Sequence, residues 1–387
     1  IFRFLQGLGG GALLVTSQTI ITESYPFEKR SMAQAIYGMG VIIGPTLGPP
    51  LGGYITDHFS WPYIFYINIP LGIIATLLTL QFVKSPKYAE KSLMADIDWV
   101  GIGLLAIFVG SLQYILEKGQ DDDWFNNSTI VILTVFSILG FFFFIWREVI
   151  FRNPVVNLRV LKNVNLRVGT ILSFILGFGL YGSTFIIPLY TQSTLGWTAT
   201  QAGELLIPSA LTTAFMMPII GKLLQRGLRQ QYMVAFGMLM FFFFCFWGYK
   251  ILTPDTGQEA FFWMLILRGF AMGMLFIPIT TLSLSTLSGR QIGEGAAFTG
   301  MMRQLGGSFG IAMITTFMAR RNMMHRSDLV SKLDITNPDL QNKITAFEHG
   351  FMAKGMTPEV AMQSAYKALD YSVLKQAAVM SYMDVFL

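Results

Sequence analysis

The sequence has little charge, a single cysteine and only three histidines. Asp, Glu, Lys and Arg make up 13% of its 387 residues, whereas a soluble domain carries ~25%. Because Cys245 is the only cysteine, no disulfide within the chain is possible, and its apolar surroundings (FFFFCFW) predict plain packing. The histidines, His58, His325 and His349, are far apart in sequence and lie outside the apolar segments, so no metal site is predicted.

The hydrophobic residues, 53% of the chain, fall into blocks whose length suits a helix that crosses ~30 Å of hydrocarbon. A closed β-barrel would instead show strands of ~10 residues with alternating polarity. The sequence therefore predicts an all-α polytopic membrane protein. Its spans are predicted at 1–22, 31–56, 61–83, 98–116, 129–146, 167–190, 201–220, 230–251, 260–283 and 294–318, with a last one from about 372.

Positive charge is concentrated in alternate loops, which predicts the orientation in the membrane. One set of loops contains Lys29, Arg30 and most of the other basic residues between spans, whereas the alternate set contains only Lys118 and Lys250, apart from a long segment at about 319–371. The first set is predicted to be cytoplasmic and the long segment to be an external loop, in a multi-pass protein of the inner (cytoplasmic) membrane. This topology explains the net charge of +5, and no binding of nucleic acid is predicted.

The long segment at 319–371 has the pattern of short amphipathic helices, with Pro338 and Pro358 near helix starts. It is interpreted either as a solvated cap or as a surface that docks on the outer mouth or on a partner. The residues alone leave both roles open.

The chain contains an internal repeat. Each copy follows a span with an early arginine and several glycines, RFLQGLGGG from Arg3 and RGFAMGM from Arg268. Two related halves are typical of secondary transporters. A shift of 262 residues matches Ala35, Gly38, Gly44 and Gly48 to Ala297, Gly300, Gly306 and Gly310.

The stretch GVIIGPTLGPPLGGYI at 40–55 combines glycines and prolines with apolar residues. Gly40, Gly44, Gly48 and Gly52 recur every four residues and form one stripe on a helix. Prolines bend such a helix where neighbours satisfy the freed carbonyls. A bare face that allows close approach and bending suits two bundles that rock against each other. A static packing motif explains the same pattern, and both interpretations stay open.

This stretch resembles the antiporter motif of the major facilitator superfamily, whose spaced glycines end in GP-x-x-GG. Arg3, Gln6 and Gly7 resemble the superfamily's R-x-x-Q-G motif. WPYIFYINIPLGI at 61–73 resembles a run of the EmrB/QacA family of fourteen-span drug:proton antiporters, with Pro62 where an arginine is usual, and IDWVG at 97–101, RQLGGSFG at 303–310 and the terminal AVMSYMDVFL fit the same family. The antiporter-motif residues, interpreted as a hinge, are Gly40, Gly44, Pro45, Gly48, Pro49, Gly52 and Gly53.

The resemblance implies the fold of that superfamily, which has two pseudo-symmetric six-helix bundles, here with two extra linker spans. Residues 1–83 would form the C-terminal part of the first bundle, whose first three spans are missing from this sequence. Residues 84–165 would form the linker spans with their cytoplasmic loops, and residues 166–387 the second bundle with a truncated last span. The resemblance also implies proton-coupled multidrug efflux of hydrophobic or amphipathic compounds. No cofactor is implied, and the candidate partners are protons, membrane lipids, a periplasmic adaptor protein and an outer-membrane channel.

Polar and ionisable residues inside predicted spans are candidates for function, because a charge there costs ~2.5–3.5 kcal/mol on insertion scales. Arg3 matches the family's motif arginine, which by that resemblance lies near the proton-coupling acid and tunes its pKa. The main proton-carrying acid is expected in the first span, which this sequence lacks. Arg303 either lines the cavity or forms hydrogen bonds to a neighbouring helix. Glu204 lies either in the apolar zone or at the hydrated outer entrance. The cavity candidates are Arg268, Arg303, Gln304, Glu204 and Gln113.

Two enzyme motifs in the sequence lack the context they need. GGSFG at 306–310 fits the hydrolase elbow G-x-S-x-G, but it lies in an apolar helix without a histidine partner in the membrane. GLGGGA at 7–12 fits the dinucleotide fingerprint G-x-G-x-x-A, but no βαβ unit surrounds it. The spans contain no nucleophile–base pair, so no catalytic residue is predicted, and no Walker loop points to ATP. Export of a dedicated endogenous lipid, siderophore or metabolite remains an alternative to multidrug efflux, and an enzyme or a non-transporting scaffold is disfavoured.

Overall fold

A computed structural model describes residues 2–83, 97–151, 154–287, 290–334 and 336–387, with the side chains in these ranges except those of residues 2–4, 12, 27, 46 and 290. Every regular element in these ranges is a helix, which confirms the predicted all-α class. The lysines predicted to mark a cytoplasmic loop at 84–96 lie outside the described residues.

The described ranges contain fourteen α-helices. The first part of the chain forms α1 (Phe2–Ser24), α2 (Arg30–His58), α3 (Tyr63–Tyr66) and α4 (Asn68–Phe82), followed by α5 (Trp99–Lys118) and α6 (Ser128–Ile150). The rest forms α7 (Val164–Ser193), α8 (Ala199–Glu204), α9 (Ile207–Gln225), α10 (Gln230–Ile251), α11 (Gln258–Leu284), α12 (Arg290–Ser331), α13 (Pro338–Met352) and α14 (Pro358–Phe386).

Seven helical segments of the described chain are long and apolar enough to cross a membrane. They correspond to α3 with α4, α5, α6, α7, α8 with α9, α10 and α11, and the sequence predicts a span at each of them. The helices α1, α2, α12 and α14 also fall on predicted spans and have 23, 29, 42 and 29 residues. Their glycines and polar residues lower the apolar content that identifies a span by composition alone.

The segment at 319–371 differs from the prediction at both of its ends. Helix α12 runs without interruption to Ser331, because nothing between the predicted span end at 318 and that residue breaks a helix. Helix α14 begins at Pro358 and runs to Phe386, so the span predicted from about 372 lies within the second half of a longer helix. Pro338 and Pro358 are the first residues of α13 and α14, and this part of the prediction is confirmed.

Helix α2 continues through all three of its prolines, Pro45, Pro49 and Pro50. In a soluble protein such a run would break the helix. Here neighbouring helices support the stretch, and α2 packs along α8 and α9. The prediction of a helix rather than a loop is therefore confirmed.

The best-packed part of the molecule is the bundle formed by α7 and α9–α12. Helix α7 packs closely on α12, and α11 packs on both α9 and α10. One apolar core contains Leu176, Met217 and Phe276 and also takes in Ile42 from α2. A second core, around Tyr190, Phe244 and Phe261, includes residues of α14. Helices α1 and α2 thus lie against this bundle rather than apart from it.

Helices α5 and α6 form a hairpin fixed by a buried ion pair. The Arg147 guanidinium lies 3.1 Å from the carboxylate of Asp98, whose side chain is 1% exposed. Asp98 also accepts a hydrogen bond from the backbone N–H of Gly101 and so caps α5. Arg147 further lies 4.1 Å over the ring of Phe151. The acid of the IDWVG motif therefore holds the two predicted linker spans together, while the predicted division at 84 and 166 stays a prediction.

Candidate functional site

The four-residue glycine stripe of α2 does not face the helices that α2 packs on. A Cβ atom added to Gly40, Gly44, Gly48 or Gly52 would meet no described atom within 4 Å. No partner helix lies against the stripe among the described residues, so the predicted close approach of a helix to this face stays a prediction. Close approach occurs instead on another face of α2, where it packs on α8, α9 and α11. We call this contact the seam.

At the end of α2 that is predicted to be outside, backbone meets backbone. A Cβ on Gly53 would overlap the carbonyl group of Ala199, and a Cβ on Gly203 would overlap the backbone of Pro50. Only glycine at these two positions allows the helices to approach so closely. The antiporter-motif residues Gly53 and Pro49 thus contact α8, whereas the other glycines of the motif do not.

Asp57 joins the same two helices just beyond these glycines. Its carboxylate accepts hydrogen bonds from the Thr200 hydroxyl at 2.6 Å and from the Thr200 backbone N–H at 3.0 Å. The Thr200 hydroxyl, followed by its N–H, lowers the pKa of Asp57 below the usual carboxyl value. Asp57 is exposed, so this bond is a latch on the surface rather than a buried pair.

At the end that is predicted to be cytoplasmic, α2 lies against α9. A Cβ on Gly221 would come within 3.2 Å of the carbonyl oxygen of Ser31 and 3.0 Å of the Ala35 side chain. A cavity of about 270 Å³ opens beside this contact, lined by residues of α1, α2, α9 and α11. Gln34 lines it, is 2% exposed and donates to Thr22 at 2.5 Å, while its carbonyl oxygen has no partner among the described residues.

Arg303 of α12 lies beside the seam, against Phe276 of α11. It is 6% exposed, and its guanidinium carbon lies 4.8 Å from the centre of the Phe276 ring. Tyr37 of α2 and Tyr181 of α7 lie near it. Phe276 in turn touches α2, since a Cβ on Gly38 would lie 2.8 Å from its ring. Arg303 is therefore a buried cation at the point where α2, α7, α11 and α12 meet.

Arg268 is buried more completely, at 1% exposed, but it lies within the bundle rather than at the seam. It donates hydrogen bonds to the hydroxyls of Ser183 at 2.8 Å and Ser209 at 2.9 Å, to Thr184, and to the carbonyl of Leu180 at 3.3 Å. No carboxylate of the described chain pairs with it. Among the described residues, hydroxyl and carbonyl dipoles solvate this charge, which ties α7, α9 and α11 together.

The structure separates the other predicted site residues. Gln304 is exposed although it follows the buried Arg303, Glu204 is exposed at the end of α8, and Gln113 is half-buried in α5, away from the seam. Gln6 and Gly7 lie on exposed positions of α1, and the side chain of Arg3 lies outside the described residues. Of the five cavity candidates, only Arg303 lies at the contact between α2 and the bundle.

Several residues of the seam escape sequence reasoning. Gly203 and Gly221 are isolated glycines without periodic spacing, so nothing in their neighbourhood marks them. Tyr37 and Phe276 look like two of many aromatic residues. Asp57 does carry a signal, because it is an acid placed directly after a predicted span.

These features define a class of protein. The chain is a multi-pass membrane protein in which the glycine-rich helix α2 packs on α8 and α9 through backbone contacts, with a buried cation close by. A bundle of this kind suits a secondary transporter rather than an enzyme.

Similarity to known proteins agrees with this class. A family model described as the Major Facilitator Superfamily matches residues 1–311. The chain belongs to the major facilitator superfamily, and it is therefore a membrane transporter with the fold of that family.

Three relatives show the breadth of the match. The multidrug export protein EmrB of Escherichia coli (strain K12) is 33% identical over 386 residues, 100% of this chain and 73% of the relative. The probable multidrug resistance protein EmrY of the same strain is 35% identical over 338 residues, 87% of this chain and 65% of the relative. The fatty acid resistance protein FarB of Neisseria gonorrhoeae is 33% identical over 329 residues, 84% of this chain and 64% of the relative.

Proposed function

We propose that this chain acts in proton-coupled efflux of hydrophobic and amphipathic compounds from the inner membrane, by alternating access between two helix bundles. The observation that carries the proposal is the seam of α2, where backbone lies against backbone at Gly53 and Gly203, with the buried Arg303 beside it. The names of the relatives, multidrug export and resistance proteins, support the direction and the substrate class.

The seam is suited to motion because glycines bring backbone against backbone near both of its ends, at Gly53 and Gly203 and at Gly221. Helices that touch through glycine can rotate or slide past each other without moving a rotamer, and prolines within α2 supply positions where it can bend. The proposed hinge is therefore the stretch from Pro45 to Gly53. The hydrogen bond between Asp57 and Thr200 would break when the predicted outer end opens.

The role of Arg3 in proton coupling belongs to this proposal. A cation within an apolar helix needs a partner, and a carboxylate beside it holds its proton less tightly. Efflux would be measured with the full-length protein in proteoliposomes under an imposed pH gradient, scanned over pH. We expect Arg3→Lys to keep partial efflux, because lysine keeps the charge but lacks the planar fork. We expect Arg3→Ala to lose coupling and to move the pH optimum upward.

The same assay tests the function itself. Efflux of a hydrophobic dye that requires the pH gradient, and stops when an ionophore collapses it, supports the proposal. Dye movement that persists without any gradient would rule out proton coupling. An unchanged rate and pH profile for Arg3→Ala would leave the exporter standing but remove Arg3 from its mechanism.

A second candidate is export of a dedicated endogenous amphiphile. The name of FarB, a fatty acid resistance protein, favours a lipid-like substrate for that relative. Competition in the dye assay separates the two functions. A single fatty acid or lipid that inhibits efflux far below all unrelated drugs would favour the dedicated exporter. We also propose a periplasmic adaptor protein and an outer-membrane channel as partners, tested by co-purification from intact envelopes.

A further inference from the structure

Helix α12 extends 13 residues beyond the predicted end of its span at 318, and α14 runs beside this extension. The two helices are joined by three ionisable side chains. Oδ2 of Asp384, on α14, lies 2.5 Å from Nε of Arg321 and 2.6 Å from Nε2 of His325, both on α12. The His325 and Asp384 side chains are 12% and 17% exposed, so water competes only in part for these bonds.

A single carboxylate oxygen thus receives two donors of different kinds. The guanidinium is charged at every physiological pH. An imidazole changes its charge between pH 5 and 8 and can donate through Nε2 in either state. When His325 is neutral, an uncharged N–H donates to the charged carboxylate of Asp384. When His325 is protonated, donor and acceptor carry opposite charges and the bond becomes an ion pair.

The neighbouring charges are few. On α12, the next arginine, Arg326, is already paired with Asp370 of α14 at 3.0 Å. Lys250 of α10 lies over the rings of Phe246 and Tyr249 in its own helix. The other titratable or charged side chains described on these helices are Glu294, Arg303, Arg320 and Asp328 of α12, Glu359, Tyr366, Lys367, Tyr371, Lys375 and Tyr382 of α14, Asp339, Lys343, Glu348 and His349 of α13, and Tyr232, Cys245 and Tyr249 of α10. Among the described residues, the side chains bonded to Asp384 are those of Arg321 and His325.

We propose that His325 is a proton-binding site on the predicted outer face, whose protonation tightens the contact between α12 and α14 through Asp384. The outer face is the side from which a proton-coupled exporter takes up protons, so any effect on transport rests on the proposed function. The site itself does not, because its titration and its effect on the two helices can be measured without transport.

Histidine-selective NMR of the full-length protein in nanodiscs tests the site, with the His325 signal assigned by its loss in His325→Gln. Neighbouring charges have opposite effects on the protonated ring. Asp384→Asn removes an anion, so the titration midpoint of the His325 signal should fall. Arg321→Gln removes a cation, so the midpoint should rise. His349→Gln, on the exposed surface of α13, is the matched control and should leave the midpoint unchanged.

Spin labels at Met323 and Tyr371, which are 66% and 65% exposed, report the contact between the helices. We expect the distance distribution between them to be narrower at pH 5.5 than at pH 7.5 in the parent protein, and to be independent of pH in His325→Gln. Midpoints that do not move in Asp384→Asn and Arg321→Gln, or a distribution that responds to pH equally in His325→Gln, would overturn the proposal.

A transport assay tests the His325 proton site separately from the proposed proton-coupled efflux. With the inner pH fixed and the outer pH varied, His325→Gln should show a flatter rate profile than the parent. If the parent shows no gradient-driven efflux, the proposed function fails while the NMR result still decides the site. If the parent transports but its outer pH profile equals that of His325→Gln, the proton site has no role in transport and the inference is wrong in that respect.

Discussion

The guanidinium carbon of Arg303 lies 4.8 Å from the centre of the Phe276 ring, and the same ring closes against Gly38 of α2. One aromatic side chain therefore touches both the buried cation and the helix at the seam. A shift of α2 along the seam would change the packing of this ring, and with it the environment of the charge. This link gives Arg303 a way to respond to the conformation of the transporter.

Arg303→Gln is predicted to lower efflux by about tenfold or more, because a desolvated cation–π contact is worth ~2 kcal/mol. Arg303→Lys should retain part of the rate, since the ammonium keeps the charge but cannot stack as a plane. The measurement is the initial rate of efflux in proteoliposomes at equal protein content. Gln304→Ala is the matched control, since Gln304 is the next residue but is exposed, and its rate should equal that of the parent. A full rate in Arg303→Gln would reduce Arg303 to a packing residue.

Arg268 is predicted to matter for stability before function. Its removal in Arg268→Ala leaves the hydroxyls of Ser183 and Ser209 without their charged donor, and a hydrogen bond to a charged group is worth ~1.5–3 kcal/mol. We expect the melting temperature of Arg268→Ala in detergent, measured by intrinsic fluorescence, to be several degrees lower than that of the parent. Arg320→Ala, at an exposed position of α12, should melt like the parent. If Arg268→Ala and Arg320→Ala had the same melting temperature, the hydrogen bonds of Arg268 to Ser183 and Ser209 would contribute nothing to stability.

The latch between Asp57 and Thr200 is predicted to be insensitive to physiological pH. Thr200 bonds to the charged carboxylate and lowers its pKa, so the bond is present above the unfolded value of ~3.9 and is lost only as the pH falls through the lower folded value. Asp57→Asn should therefore change the efflux rate by a similar factor at every pH from about 5.5 to 8. His58→Gln, at the next, exposed position, serves as control. A shifted pH optimum in Asp57→Asn would instead identify Asp57 as a proton carrier.

Much of the fold follows from local pattern. The block predicted at 230–251 is helix Gln230–Ile251, and the one at 260–283 is helix Gln258–Leu284. Apolar block length sets these bounds, because the whole helix must match one bilayer. Pro338 and Pro358 likewise mark helix starts, since proline at the first helical position loses no hydrogen bond.

The contacts between helices do not follow from local pattern. A Cβ on Gly177 of α7 would overlap the carbonyl group of Arg303, a contact with α12 that the local sequence around Gly177 does not identify. The regular stripe that includes Gly44 and Gly48 faces open space among the described residues. A spacing of four residues defines a face, but which helix covers that face depends on the arrangement of the whole bundle.

The internal repeat supplies part of the missing information. Gly306 and Gly310, which the repeat pairs with Gly44 and Gly48, lie against the backbone of α7 at Phe174 and Phe178. By the same symmetry, the stripe of α2 is predicted to pack on the first-half counterpart of α7. The glycine stripe of α2 would then pack within the first helix bundle, while another face of α2 forms the seam.

The last prediction concerns the face of α2 that forms the seam rather than the face that carries the glycine stripe. Gly203→Leu should abolish efflux while the protein still inserts, because its side chain would start inside the backbone of Pro50 and hold α8 away from α2. Gly110→Leu is the matched control, since Gly110 is an exposed helical glycine in α5, and a Cβ added there would meet no described atom within 4 Å. Membrane insertion would be followed by a fluorescent fusion and efflux by the proteoliposome assay. Normal efflux by Gly203→Leu would mean that close contact between α2 and α8 is dispensable, and alternating access would need another moving surface.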